Sequence, residues 1–165
     1  MKVFSDGIVD SMIEDRFGKR GTQFNAAGNC TYSLPFRIED APAGTVSFAW
    51  ILEDKDAVPV CGFSWIHWTA ANATRRAYGE NDSVQATDYV QGATSACGKL
   101  GPLSPVESAT YQGMGAPDRP HIYELHVYAL DILLNLKTGF FMNELYWAMQ
   151  GHVLESVTLQ GTYVN

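Results

Sequence analysis

The sequence predicts a mainly β fold with one or two helices at its flank, and three observations carry that reading. Four segments are rich in β-branched and aromatic residues. One segment alone repeats its apolar residues at helical spacing. Of 165 residues, 46% are apolar and 18% charged, the balance of a packed globular chain and not of a disordered one. No repeat, charge run or low-complexity tract divides the chain, so a single domain over residues 1–165 is expected.

The elements follow in order. Residues 46–52 (VSFAWIL) form a β-rich run, reached through the turn residues Ala41, Pro42, Ala43 and Gly44 and closed by Glu53 and Asp54. Residues 64–71 (SWIHWTAA) form a second, with Asn72 as its stop. Between 98 and 120, eight of 23 residues are Gly or Pro, which predicts a long loop of the kind that carries function. Residues 121–130 (HIYELHVYAL) give the clearest strand, and residues 154–164 the last. The helix is expected over residues 143–150. Asn143 is its N-cap, Glu144 favours the first turn, and Gly151 stops it. Leu145, Ala148, Met149 and His152 fall at i, i+3, i+4 and i+7, one face of that helix.

Charge and composition exclude several functions. A net charge of −7 and a pI near 4.9 leave no clustered basic surface for a phosphate backbone, so nucleic acid is not an expected partner. No stretch approaches the roughly 20 apolar residues that span a bilayer, and the first residues lack the apolar run of a signal peptide. Three cysteines, Cys30, Cys61 and Cys97, occur without a CxxC pair, which reads as free thiols in a reducing, cytoplasmic setting.

The chemistry gathers at strand ends. Side chains alternate along a strand, so His121 and Tyr123 share one face while Ile122, Glu124 and His126 take the other. His67 is expected to share a face with Trp65 and Thr69, and Asp54 closes the first strand. A carboxylate, two imidazoles and a phenol beside a Gly/Pro-rich loop could together hold a small anion, with the imidazoles as donors and the carboxylate orienting one ring. Each histidine by itself fits a structural hydrogen-bonding role equally well. Asp54, His67 and His121 also have the composition of a 2-His-1-carboxylate metal site, which would imply a metal-dependent or acid–base enzyme. No G-x-S-x-G nucleophile motif accompanies them. The stretch from Gly92 to Leu100 misses a phosphate-binding loop by one residue and by Leu100 where Ser or Thr must meet Mg²⁺. His126 reads as a surface or core-edge residue, and His152 as a cation at a helix C-terminus.

Several motifs in order resemble the phosphatidylethanolamine-binding protein family, in its bacterial and archaeal Raf-kinase-inhibitor-like branch. Gly28-Asn29 with Ser33-Leu34-Pro35 is similar to G-x-N-x-S-P-P. Residues 42–48 are similar to P-x-G-T-x-S-F, and residues 53–57 stand where D-P-D-A-P is expected. Trp65-Ile66-His67-Trp68 matches W-x-H-W. Residues 111–117 with His121-Ile122-Tyr123 resemble Y-x-G-P-x-P-P followed by H-R-Y, and Gly151-His152 falls in a structural signature of the family. The resemblance implies a large antiparallel sheet packed on a smaller one, with helices at the side. It also implies a non-catalytic binding protein without cofactor or metal, whose anion pocket is built from Asp54, His67, His121 and Tyr123. Trp65 would be part of its wall, and Gly113 to Pro117 its rim. The implied ligand is a small phosphorylated or carboxylated molecule. Relatives further imply inhibition of a kinase or serine protease, and a homodimer. A third reading leaves the pocket vestigial and the function in protein contacts.

Four departures bear on ligand preference. Lys55 replaces a proline between the two aspartates, removing a fixed φ and offering an ammonium group that is either solvated or an extra anion contact. Met114 and Ala116 replace rim prolines, which predicts a less pre-organised rim. Ile122 replaces an arginine.

Overall fold

The computed structural model describes residues 1–85, 87–98 and 101–165. Among these residues there are ten strands: β1 Lys2–Phe4, β2 Ile8–Val9, β3 Met12–Ile13, β4 Phe36–Glu39, β5 Ser47–Asp54, β6 Trp65–Ala73, β7 Ala77–Tyr78, β8 Val90–Gly92, β9 His121–Leu130 and β10 Val153–Tyr163. The described residues also hold three α-helices, α1 Val58–Cys61, α2 Asp82–Gln85 and α3 Met142–Met149, and three short 3-10 turns. Seven strands form one sheet in the order β2-β3-β10-β9-β5-β6-β8, and β1-β4-β7 form a smaller one. Pairing is antiparallel except where Thr162 of β10 meets Met12 of β3 in parallel.

The strand β5 is central, and its sequence shows why. All eight of its residues are buried, the mark of a strand covered on both faces. On the inner face, Trp50 and Leu52 pack with Trp68, Leu125 and Val127 against Phe36 and Tyr78 of the small sheet. Trp50 and Trp68 meet edge-on with ring centroids 4.9 Å apart, a favoured aromatic geometry. On the outer face, Ala49 and Ile51 join Leu130, Phe140 and the α3 residues Leu145 and Met149 in a second core.

Three expectations shift at their edges. Asn72 does not stop β6. It adopts a positive φ of 64° and holds Leu134 through both ends of its carboxamide, at 2.8 and 2.7 Å. Phe48 pairs with Ala73 and Trp50 with Ala70, so one extra residue is absorbed there as a β-bulge and the strand continues. The helix starts one residue earlier than expected, and Phe141 is its cap. The Glu144 carboxylate accepts the Phe141 N–H at 2.7 Å, which satisfies an end donor that Asn143 does not reach. His152 lies beyond the helix, where its ring meets Asp131 at 2.9 Å.

The stretch from 98 to 120 contains no strand or helix among its described residues, while Lys99 and Leu100 of the near-miss phosphate loop lie outside them. Backbone bonds tie it down: Gln112 N to His67 O at 2.8 Å, Gly113 N to Cys30 O at 2.8 Å and Lys19 N to Met114 O at 2.7 Å. Gly113 is required by close approach, since a Cβ there would lie 2.7 Å from both Cys30 Cβ and the Phe17 carbonyl.

Candidate functional site

A cavity opens where β5 ends and β6 and β9 begin. Strand register sets its base. Asp54 lies opposite Trp65 on one side and Tyr123 on the other, and directly opposed residues share a face. His121 joins them two residues before Tyr123. His67 arrives differently. Leu52 pairs with Trp68 and Glu53 with Ile66, so His67 is the extra residue of a second bulge, which turns its ring into the cavity beside Trp65. Thr69 therefore does not share its face, contrary to the alternation rule. It opposes Ile51 of the outer core.

The cavity measures about 280 Å³, just under the roughly 300 Å³ at which small-molecule sites usually begin. Asp54, Trp65, His67, Gly113, Pro117, His121 and Tyr123 all line it. Sequence reasoning passed over Gln112 and Cys61, which line it as well. Asp118, also passed over, stands behind His121.

The two imidazoles differ in state. His121 is fully buried, with Nδ1 2.7 Å from Asp54 Oδ2 and Nε2 2.8 Å from Asp118 Oδ1. Burial alone would lower its pKa, but the bonds to the two carboxylates outweigh burial and leave it raised. Neither nitrogen is left for a ligand. His67 is held by one bond, Nδ1–H to the Gln112 carbonyl at 2.8 Å. A carbonyl only accepts, so the proton sits on Nδ1 and Nε2 is the ring's remaining polar atom. Burial lowers the His67 pKa below the ordinary histidine value. Its ring packs edge-on against Tyr123 with centroids 5.2 Å apart. The Tyr123 hydroxyl accepts the Gly115 N–H at 3.2 Å. Burial pushes its pKa well above the usual phenol value, so it keeps its proton and can donate it.

The departures resolve in physical terms. Lys55 points away from the cavity: its ammonium pairs with Glu124 and lies 3.5 Å from Glu53, both on the outer face, so it is not an anion contact. The rim is pinned without the two replaced prolines, because Lys19 holds the Met114 carbonyl through its N–H and the Ala116 carbonyl through Nζ, at 2.7 and 2.6 Å. Met114 and Ala116 are fully buried. Ile122 is exposed, and its N–H donates to Asp56 at 2.9 Å. His126 lies half-buried on the opposite face, bonded to Glu53 at 3.0 Å and Thr158 at 2.8 Å. Cys30, Cys61 and Cys97 are free thiols. No described helix is long and apolar enough to cross a membrane.

Comparison with known proteins agrees with this architecture. The model of the phosphatidylethanolamine-binding protein family matches residues 9–164. The chain belongs to this family. YxkA, an uncharacterised protein of Bacillus subtilis, is 40% identical over 153 residues, covering 90% of this chain and 91% of its own. A UPF0098 protein of Chlamydia trachomatis is 32% identical over 133 residues, 79% of this chain and 81% of its own. Among solved structures, the family homologue CT736 of Chlamydia trachomatis superposes with a TM-score of 0.79 at 27% identity, covering 99% of this chain and 96% of that one. YbcL of E. coli, at 21% identity and a TM-score of 0.76 over 99% and 98% of the two chains, shares the fold. Membership of this family supports a binding protein.

Proposed function

We propose that the chain is a non-catalytic binding protein whose cavity captures a small oxyanion, the phosphate-like or carboxylate end of a larger molecule. The observation that carries this is the convergence of Asp54, His67, His121 and Tyr123 from three adjacent strands on one cavity under a pinned rim. A protein partner of kinase or protease type, presenting a phosphorylated or carboxylated side chain, would meet the same chemistry. Homodimerisation would add a second copy of that cavity.

The metal-enzyme alternative draws less from the geometry. The Nδ1 of His67 and both nitrogens of His121 are already committed to protein acceptors, which leaves this trio with one free imidazole nitrogen to offer an ion.

Isothermal titration of chelator-treated protein with phosphate, phosphoethanolamine and acetate tests the reading. Saturable binding of at least one, abolished in His67→Ala with the fold retained, is expected. The absence of binding to all three at millimolar concentration would overturn it. Turnover appearing only when a transition metal is restored would favour the enzyme instead.

A further inference from the structure

The outer face of the large sheet carries a second convergence of side chains, on the opposite side of β9 from the cavity. Strand register sets it. Glu53 of β5 lies opposite Glu124 of β9, and Glu124 lies opposite Gln160 of β10. Two residues along β9, His126 lies opposite Thr158, and residues two apart on a strand share a face. Two carboxylates and an imidazole therefore stand together, with a carboxamide and a hydroxyl beside them. Like charges directly opposed across a strand pair are destabilising, so Glu53 and Glu124 call for a cation between them.

The atoms of these groups divide into a converging set and a supporting set. His126 Nε2 lies 3.0 Å from Glu53 Oε1 and 3.3 Å from Glu124 Oε2. All three atoms fall within 4.8 Å of one another. Nitrogen and oxygen ligands at about 2.0 Å from a tetrahedral zinc ion sit about 3.3 Å apart, so this spacing is close to a ligand set. The other polar atom of each group is held from behind. Glu53 Oε2 accepts from Ser64 Oγ at 2.6 Å, Glu124 Oε1 accepts from Gln160 Nε2 at 2.8 Å, and His126 Nδ1 meets Thr158 Oγ1 at 2.8 Å. Partners of this kind aim metal ligands and fix the imidazole tautomer.

The Lys55 ammonium sits against the same two converging oxygens, Glu124 Oε2 and Glu53 Oε1. Its side chain is 56% exposed, so giving up these contacts for water costs little.

We infer that Glu53, Glu124 and His126 form a binding site for a divalent transition-metal ion of the zinc type, and that Lys55 is the cation that fills the site when no metal is bound. One imidazole with two carboxylates suits zinc better than magnesium or calcium, which take oxygen ligands. The two carboxylate charges balance a dication once Lys55 withdraws, and the bound ion ties β5 to β9. The site stands apart from the oxyanion cavity and does not rest on that reading.

The test titrates the full, chelator-treated chain with zinc chloride alone in phosphate-free buffer. Calorimetry reads affinity, imidazole NMR reads which ring responds, and thermal melting reads the fold. The wild-type protein is expected to bind zinc with His126 as the responding ring. It is also expected to melt at higher temperature with zinc, because an ion that binds the folded state stabilises it. His126→Ala is expected to weaken binding about tenfold or more. Lys55→Met removes the competing ammonium and is expected to tighten binding about two- to fivefold, the worth of an exposed ion pair.

Zinc that shifts the His67 or His152 ring and leaves His126 unmoved would overturn the inference, and a His67 response would point to the cavity instead. A His126→Ala protein that melts like the wild type and binds zinc within about twofold of it would also overturn it. Should His126→Ala fail to fold, Lys55→Met decides, since affinity equal to or below that of the wild type contradicts a site held by Lys55. A wild-type protein that binds no zinc up to millimolar concentration overturns the inference outright and leaves the oxyanion reading standing.

Discussion

The outer face of the central strand offers a perturbation whose size can be worked from geometry. Glu53 is 11% exposed at its side chain. Its carboxylate accepts from His126 Nε2 at 3.0 Å and Ser64 Oγ at 2.6 Å, with Lys55 Nζ at 3.5 Å. The His126 bond, helped by Ser64 and the Lys55 charge, outweighs burial and holds the Glu53 pKa at about 2, against an ordinary 4.5. A carboxyl whose folded pKa is depressed adds stability above its unfolded value and loses it as pH falls through the folded one. The contribution is therefore complete by about pH 5 and gone near pH 2. At about 1.4 kcal/mol per pH unit it amounts to roughly 3 kcal/mol. Gln at this position keeps the partner for Ser64, so Glu53→Gln is expected to cost about 2 kcal/mol at pH 7. Urea unfolding of both proteins between pH 7 and pH 2 reads this directly, as a stability gap that closes on acidification. A gap under ~0.5 kcal/mol at pH 7, or one that stays constant down to pH 2, would refute the reasoning.

Three further outcomes follow from the cavity. Asp118→Asn removes one of the two carboxylates that raise the His121 pKa, so the ring is expected to titrate at lower pH, followed by its imidazole NMR signals; an unmoved titration would disconnect the pair. Gly113→Ala pushes a Cβ to 2.7 Å from the Phe17 carbonyl and Cys30 Cβ. It is expected to cost roughly 1–3 kcal/mol, seen as a melting-temperature drop in thermal denaturation. Cys61 lines the cavity and Cys97 is partly exposed, whereas Cys30 is buried with its pKa raised by burial. In a disulfide-exchange assay Cys30 is expected to react last, and saturating phosphate to slow Cys61 alone.

How much of this was legible depends on whether local pattern or tertiary contact decides each feature. The strands β5 and β9 stand out in the sequence because one is apolar on both faces and the other alternates cleanly at five positions from His121 to Ala129. Strands of two to four residues such as β2, β3 and β7 carry too few residues for any period to show. His67 lines the cavity, but its route there is hidden in the sequence. A bulge breaks the alternation that placed it beside Thr69, and nothing in W-I-H-W announces the extra residue. Lys55 could be weighed either way until Glu124 and Glu53 claimed it. Gln112 and Asp118 were not foreseeable, because a carbonyl on one imidazole and a second carboxylate on the other exist only once the loop closes on β6 and β9. The rim is a similar case. Counting lost prolines suggested a loose loop, but its order comes from Lys19, nearly a hundred residues away in the chain.

The most direct test of the oxyanion cavity is a pH titration of the four imidazoles by NMR, with and without saturating phosphate, on chelator-treated protein. An anion favours the charged form of a neighbouring imidazole. Phosphate is therefore expected to raise the His67 pKa, which burial keeps low in the free protein. The ring signals of His126 and His152, bonded to Glu53 and Asp131 away from the cavity, should not move on adding phosphate. A His67 ring whose curve is the same with and without phosphate would contradict an oxyanion site at this cavity.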